Sequence, residues 1–182
     1  NSEDMCMIEH IPELINAGID SFKIEGRAKS AYYTAVITNA YRAAIDAYMS
    51  SESGSFVLPE WILDEVRKVS YRDYCTGFYF DSPHEKANIS FEGGYRREWD
   101  VTAVVENCID GFIYCEQRNK FFKGELLESL EPGKKPQTFT AEELFDENGE
   151  PIDSTPRAMM KFKIRSDLKF APGTILRKQN TK

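Results

Sequence analysis

The chain contains 182 residues, of which 41% are hydrophobic and 13% aromatic, so it can bury a core in one domain or in two small ones. It has no apolar run near the roughly 20 residues that a bilayer-spanning helix needs, and its first residues lack the basic and apolar regions of a signal peptide. We therefore expect a cytoplasmic protein with no membrane partner. The four cysteines include no CxxC pair, which favours reduced thiols over a disulfide framework.

The charge is distributed unevenly along the chain. Residues 1–92 carry 8 Lys or Arg residues and 15 Asp or Glu residues, whereas residues 93–182 carry 15 of each kind. The two parts also differ in hydrophobic period, because apolar residues recur at helical spacing in much of the first part and at every second position in much of the second. We therefore predict two domains, 1–92 and 93–182.

A short helix is predicted near the start of the chain. Ser2 and the two acidic residues after it are typical of an N-cap and a first helical turn, and apolar residues recur at helical spacing over residues 7–15. Pro12 is tolerated only in or near the first turn, so the helix can also begin at about Glu9. Gly18 predicts its end.

A strand and two further helices are predicted next. Residues 19–25 alternate apolar and polar side chains, which indicates a β-strand. Apolar stripes at helical spacing predict a long helix over residues 29–50 and another over residues 59–70. Helix, strand and helix in close order are typical of a parallel α/β layer.

From Trp99 onward the hydrophobic period changes to two. Short strands separated by Asp-Gly, Pro-Gly and Asn-Gly turns indicate a compact antiparallel barrel or sandwich. The sequence thus predicts an α+β fold. The predicted strands cover residues 101–105, 112–116, 126–130, 137–140, 158–165 and 174–177.

Alternating charges gather where the strand over residues 19–25 is predicted to end. Lys23 and Glu25 share one face of that strand, Arg27 follows the glycine, and Lys29 begins the next helix. The carboxyl edge of a parallel α/β layer is where ligands bind. A structural ion pair between Lys23 and Glu25 is an equally good interpretation.

Two other features are candidates for function. Cys6 lies beside a predicted helix start, where a thiolate or a metal ligand is favoured, although a lone cysteine is most often a small buried hydrophobe. Lys161, Lys163 and Arg165 give one strand a basic outer face, which fits an anionic partner such as RNA. The alternative is a solvated strand face, since acidic residues over 142–150 dilute the charge.

Five segments of the chain resemble the peptidase U32 family, the collagenase-like proteases. Family members have an N-terminal TIM-like α/β catalytic domain with a cysteine-rich signature, followed in many by a C-terminal β-barrel. The resemblance implies that residues 1–92 are the end of the first domain, that residues 93–182 are the barrel, and that an upstream catalytic domain of the same chain is the partner. The resembling segments are residues 1–9, 17–27, 29–33, 72–78 and 116–121, with Gly124.

The resemblance implies two competing functions. The first is a peptidase fragment, inactive alone, whose barrel assists the binding of a protein substrate. The second is part of a tRNA or rRNA hydroxylation factor, whose barrel binds RNA; a purely structural barrel is a third hypothesis.

The resemblance also assigns candidate roles to individual residues. Glu25 and Arg27 are the catalytic candidates. Cys6 is a candidate iron–sulfur ligand only in a full-length parent, because one thiolate cannot hold a cluster, and we expect no cofactor in this chain alone. The candidates for substrate binding within the resembling segments are Lys23, Lys29 and Arg72. Lys161, Lys163 and Arg165 are further candidates, from the basic face of their predicted strand.

Overall fold

The computed structural model describes residues 3–52, 56–80 and 94–180. The chain forms two compact units, Asn1–Glu98 and Trp99–Lys182, here called the α unit and the β unit. The predicted boundary between residues 92 and 93 lies outside the described residues. Among the described residues, no helix has the length and apolar character needed to cross a membrane.

The α unit contains three helices and a short parallel ladder. The helices are α1 (Ile11–Asn16), α2 (Ala31–Met49) and α3 (Glu60–Val66), and a 3-10 turn over Ile8–His10 precedes α1. Ser30 caps α2, since its side chain accepts a hydrogen bond from the backbone N–H of Tyr33 at 3.1 Å. The apolar stripe of α2 faces the core, which also takes in α1, α3 and the 3-10 turn. Buried members of this core are Ile8, Ile11, Val36, Ile37, Ala40, Ala44, Ile62 and Val66.

The start of the chain differs from the prediction. Strand β1 (Asp4–Met5) pairs in parallel with β2 (Tyr74–Cys75), so the acidic residues after Ser2 do not begin a helix. Ser2 itself lies outside the described residues. Helix α1 begins at Ile11 with Pro12 in its first turn, which is compatible with the later of the two predicted starts.

The predicted strand over residues 19–25 is wrong. These residues form no β-ladder with any described part of the chain. The burial of the side chains nevertheless alternates along this segment: Phe22 and Ile24 are half-buried, whereas Lys23 and Glu25 are exposed. Alternation reports which side chains face a core, while a strand also needs a hydrogen-bonded neighbour.

The β unit is one antiparallel sheet of eight strands. Their order across the sheet is β6-β5-β10-β3-β4-β9-β7-β8. The six predicted strands are present, although the one predicted from residue 158 begins at Lys161, and β7 and β8 were not predicted. The strands are β3 (Trp99–Ile109), β4 (Phe112–Gln117), β5 (Leu126–Leu130), β6 (Thr138–Thr140), β7 (Leu144–Asp146), β8 (Pro151–Ile152), β9 (Lys161–Arg165) and β10 (Ile175–Gln179).

The sheet is curled into a half-barrel, which agrees with the predicted fold class. Backbone hydrogen bonds join Thr155 to Phe121 and Lys123 to Asp153, and these bonds bring opposite ends of the sheet together. The enclosed core includes Ile113, Phe162, Ile164 and Leu176, all at most 2% exposed. Asp110 and Gly111 both have positive φ, as the tight turn between β3 and β4 requires.

A β-bulge interrupts β3. Val105 is opposite Cys115 and Asn107 is opposite Tyr114, so Glu106 is the extra residue between them. After the bulge, Cys108 lies against the core and Ile109 is exposed.

Candidate functional site

Two cations converge on Asp4 in the α unit. The guanidinium of Arg72 donates from Nε at 2.9 Å and from Nη2 at 2.6 Å to Oδ1 of Asp4, and the backbone N–H of Arg72 donates to Oδ2 at 2.9 Å. Nζ of Lys29 lies 3.8 Å from Oδ2 and donates to the carbonyl oxygen of Ser70 at 3.4 Å. Of the predicted substrate-binding residues, Lys29 and Arg72 are thus brought together.

Aromatic rings flank these cations. Nζ of Lys29 lies 4.3 Å from the ring centroid of Tyr95 and 5.2 Å from that of Tyr33, and Cζ of Arg72 lies 5.6 Å from the ring of Tyr95. Burial acts to raise the pKa of Asp4, but the hydrogen bonds from Arg72 and the charges of both cations outweigh it and hold that pKa below its usual value. The site therefore keeps Asp4 ionised at neutral pH.

A second contact in the α unit joins the thiol of Cys6, two residues after Asp4, to the hydroxyl of Tyr41. The hydroxyl of Tyr41 donates to Sγ of Cys6 at 3.7 Å, and its oxygen accepts a hydrogen bond from the backbone N–H of Met7 at 2.8 Å. Burial raises the pKa of the Cys6 thiol, and the hydrogen bonds it accepts, including that from Tyr41, act in the opposite direction. Burial also raises the pKa of Tyr41, so its hydroxyl stays protonated and remains a donor.

Cys6 fits the role of a single metal ligand. It is half-buried, and a hydroxyl donor orients its sulfur, as outer-shell groups do in metal sites. Among residues 3–52, 56–80 and 94–180, no group of three or more His, Cys, Asp or Glu side chains is placed to hold a metal ion. Four thiolates hold a typical iron–sulfur cluster, so the described residues do not by themselves form such a site.

The predicted catalytic candidates lie in an exposed turn. Oε1 of Glu25 accepts a hydrogen bond from the backbone N–H of Arg27 at 2.9 Å, and the backbone N–H of Lys29 donates to the carbonyl oxygen of Gly26 at 2.9 Å. Lys23, Glu25 and Arg27 are exposed. Within the part of the chain that the structure describes, no hydrogen bond or ion pair joins these three side chains to the group formed by Asp4, Lys29 and Arg72.

Three strands of the β unit place cations beside aromatic rings. In the register of β4 with β9, Phe112 is opposite Arg165 and Tyr114 is opposite Lys163. Strand β7 adds Phe145, which is opposite Lys163 on the other side of β9. Because side chains alternate along a strand, these residues lie on the face opposite the buried Ile113, Phe162 and Ile164. We call this set, Phe112, Tyr114, Phe145, Lys163 and Arg165, the cation–aromatic surface.

The contacts within the cation–aromatic surface are close. Nζ of Lys163 lies 4.7 Å from the ring centroid of Phe112, 5.9 Å from that of Tyr114 and 6.0 Å from that of Phe145. Cζ of Arg165 lies 5.2 Å from the ring of Phe112. Phe112 and Phe145 meet edge to face at 5.7 Å.

Lys161, the third predicted cation of β9, has a different environment. Its Nζ contacts Glu106 and forms a 2.7 Å ion pair with Oε2 of Glu116, and hydrogen bonds to these carboxylates raise its pKa. Within the described residues, neither Lys163 nor Arg165 forms a salt bridge. The positive charge available to a ligand on β9 is therefore that of Lys163 and Arg165.

Sequence reasoning missed several members of these groups. Phe112 and Tyr114 carry a local signal, since they alternate with the apolar residues of a predicted strand. Asp4 and Tyr41 carry no such signal, because their partners are 68 and 35 positions away in the chain.

Comparison with known proteins identifies both parts of the chain. Residues 1–89 match the model described as peptidase family U32, and residues 97–177 match the model described as the peptidase family U32 C-terminal domain. The chain belongs to peptidase family U32. In this U32 chain, sequence of the U32 domain therefore precedes the C-terminal domain, and the predicted resemblance is confirmed.

Relatives of this U32 chain carry different names. The tRNA hydroxylation protein P1 of Bacillus subtilis is 34% identical over 178 residues, which cover 97% of this chain and 42% of that protein. An uncharacterized protease of Methanocaldococcus jannaschii is 44% identical over 90 residues, which cover 50% of this chain and 21% of that protein. The chain thus spans less than half the length of either relative.

A solved structure also resembles this U32 chain. It is the C-terminal domain of a Geobacillus thermoleovorans protein described as a U32 peptidase, with a TM-score of 0.41 and 24% identity. The match covers 43% of this chain and 99% of that domain.

Proposed function

We propose that this chain is part of a U32 protein that hydroxylates tRNA and that its β unit binds the RNA. The observation that carries the proposal is the pair of cations on β9, Lys163 and Arg165, which lie over aromatic rings without a carboxylate partner among the described residues. RNA-binding proteins combine positive charge for phosphates with planar groups for bases.

The comparisons support tRNA hydroxylation over the peptidase interpretation. The relative named as a tRNA hydroxylation protein matches 97% of the chain, so its likeness extends through the β unit. The match to the relative named as a protease covers 50% of the chain. An RNA-binding role for the β unit agrees with the first relative's name.

The proposed role of the α unit is to form one wall of the reaction site. Arg72 and Lys29 would bind an anionic group of the substrate, with Asp4 holding both cations in place. Glu25 and Arg27 stay proposed catalytic residues, and Lys23 a proposed substrate contact. Cys6 would hold one corner of an iron–sulfur cluster, with Tyr41 orienting its sulfur, and the other thiolates would come from residues beyond those described. Such a cluster supplies one-electron redox chemistry when bound.

Binding of tRNA to the purified chain tests the proposal. We expect the double variant Lys163→Ala/Arg165→Ala to bind fluorescent tRNA about tenfold more weakly at 0.1 M salt, with a shallower dependence of affinity on salt. The control Lys135→Ala/Lys169→Ala removes the same charge from two exposed lysines elsewhere in the β unit and should bind nearly as wild type does. Absence of tRNA binding, or equal losses in both double variants, would overturn the proposal.

A further inference from the structure

We infer that the cation–aromatic surface takes unpaired RNA bases, so that the β unit selects single-stranded segments over duplex. The inference rests on the proposed RNA-binding function and specifies what that site recognises.

The placement of the rings favours stacking. Phe112, Tyr114 and Phe145 stand on the outer face of the curled sheet, and Tyr114 is 36% exposed. These three rings are not members of the buried core of the β unit, since the side chains of β4, β7 and β9 in that core lie on the opposite faces of the strands. Three rings from two strands thus form an apolar patch on the outer face, in which Phe112 and Phe145 are half-buried and meet edge to face, and a nucleobase can stack on an exposed ring of this patch.

The two cations add contacts to a stacked base and to its phosphates. The guanidinium of Arg165 lies over Phe112, and a guanidinium plane itself stacks on nucleobases. Lys163 lies at the centre of the surface, within 6.0 Å of all three ring centroids, where its charge reaches the phosphates that flank a stacked base. A base with a free face can therefore contact the rings while its own phosphates contact Lys163.

Three of the carboxylates near this surface have partners of their own. Glu106 and Glu116 contact Lys161, and Oδ1 of Asp146 accepts hydrogen bonds from the backbone N–H groups of Asn148 and Glu150. Repulsion of a phosphate by these groups is correspondingly reduced. Glu143 is an exposed carboxylate beside this surface, since its carbonyl oxygen accepts a hydrogen bond from the backbone N–H of Arg165.

A duplex cannot use the same contacts. Its bases are stacked on one another, so their faces are covered, and an A-form helix presents phosphates and 2′-hydroxyls instead. Duplex RNA would meet only the two cations. Loss of a ring should therefore affect single strands, and loss of a cation should affect both forms.

The test compares a 12-nucleotide fluorescent single strand with a blunt duplex of the same sequence. We expect wild type to bind the single strand about tenfold more tightly, because a base that stacks on an aromatic ring adds to the affinity of the single strand alone. Phe112→Leu keeps an apolar side chain and should remove most of this preference, with duplex affinity unchanged. Tyr114→Leu, at a more exposed position, gives the same test if Phe112→Leu lowers the melting temperature.

Phe122→Leu is the matched control. Phe122 is 48% exposed, and Nζ of Lys120 lies 4.6 Å from its ring, but it lies outside the cation–aromatic surface. It should leave the preference intact. Equal affinity for single strand and duplex, equal effects of Phe112→Leu and Phe122→Leu, or an acidic peptide that binds as tightly as the single strand would overturn this inference while tRNA binding stands. Failure of every RNA to bind would instead overturn the proposed function.

Discussion

Asp4 and Arg72, 68 positions apart, are joined by three hydrogen bonds, two from the guanidinium and one from the backbone of Arg72. These bonds lie next to the two-residue ladder of β1 with β2, in which Asp4 is opposite Tyr74. A ladder that short has little stability of its own. The carboxylate therefore helps to hold the two ends of the α unit together.

Asp4→Asn should lower the free energy of unfolding of the α unit by about 1 kcal/mol at pH 7. The pKa of Asp4 is lowered in the folded state, so its contribution is present above the usual Asp pKa of 3.8 and is lost as pH falls below it. The difference between wild type and variant should accordingly shrink in acid. Urea unfolding in a Trp99→Phe background measures it, because Trp61 of α3 is then the remaining tryptophan.

Asp20→Asn is the control for this experiment, since Asp20 is exposed. Equal stabilities of the two variants at pH 7, or a difference that grows in acid, would show that Asp4 does not act through an ionised contact with Arg72.

Tyr41→Phe should slow alkylation of Cys6. Burial raises the pKa of this thiol, and the Tyr41 hydroxyl partly offsets that effect by donating to the sulfur. Loss of the donor should reduce the thiolate fraction and the rate with iodoacetamide at pH 8 by about threefold. Mass spectrometry of the Cys6 peptide measures the rate, with Cys75 as the internal reference. Tyr48→Phe, on the same helix with its hydroxyl 3.1 Å from Oδ1 of Asn16, should leave it unchanged.

Ile164→Ala should destabilise the β unit by about 3 kcal/mol, because this side chain is fully buried in the core of the half-barrel and its loss leaves a cavity. Ile109→Ala removes the same atoms from a side chain that is 48% exposed and should cost less than about 1 kcal/mol. Urea unfolding followed by Trp99 fluorescence in a Trp61→Phe background measures both variants. Similar losses would mean that the curled sheet does not enclose its core as described.

Glu25→Ala and Arg27→Ala should lower turnover while changing the stability of the α unit little. Both residues lie in an exposed turn, so each change should lower the free energy of unfolding by at most about 1 kcal/mol. If they contact substrate or orient a cofactor ligand, turnover by a protein that joins this chain to its catalytic domain should fall by about 100-fold. Normal turnover with a large loss of melting temperature would return both residues to a structural role.

The sequence predicts the β unit well because its signals are local. Period-two alternation and turn pairs such as Asp110-Gly111 mark most strands directly. The β1–β2 ladder is different, because two residues carry no recognisable period and their partners are about 70 positions away. Residues 19–25 show the opposite case. Their side chains alternate as in a strand, so the sequence predicts one, but no described segment pairs with them.

In the candidate sites, too, some residues can be found from local spacing in the sequence, whereas their contacts depend on the fold. Lys163 and Arg165 are visible from their spacing on one strand, whereas their contacts with Phe112 and Phe145 depend on the register of three strands that are not consecutive in sequence. Arg72 is found through the family resemblance, but its partner Asp4 follows only from the fold. The turn that holds Glu25 and Arg27 follows a segment that has no ladder partner among the described residues, so the catalytic role of these two residues stays a prediction.

The bulge at Glu106 has a consequence for changes in chain length. Before it, Ala103 and Val105 face the core two positions apart; after it, Cys108 faces the core three positions beyond Val105. Deleting Glu106 would restore an unbroken alternation and leave all three side chains pointing inward. Deleting Asn107 would give the same spacing, whereas deleting Val104 would place the side chains of Ala103 and Val105 on opposite faces of the strand. The bulge is thus a place where this strand tolerates a one-residue deletion, and deletion of Glu106 also removes one carboxylate beside Lys161.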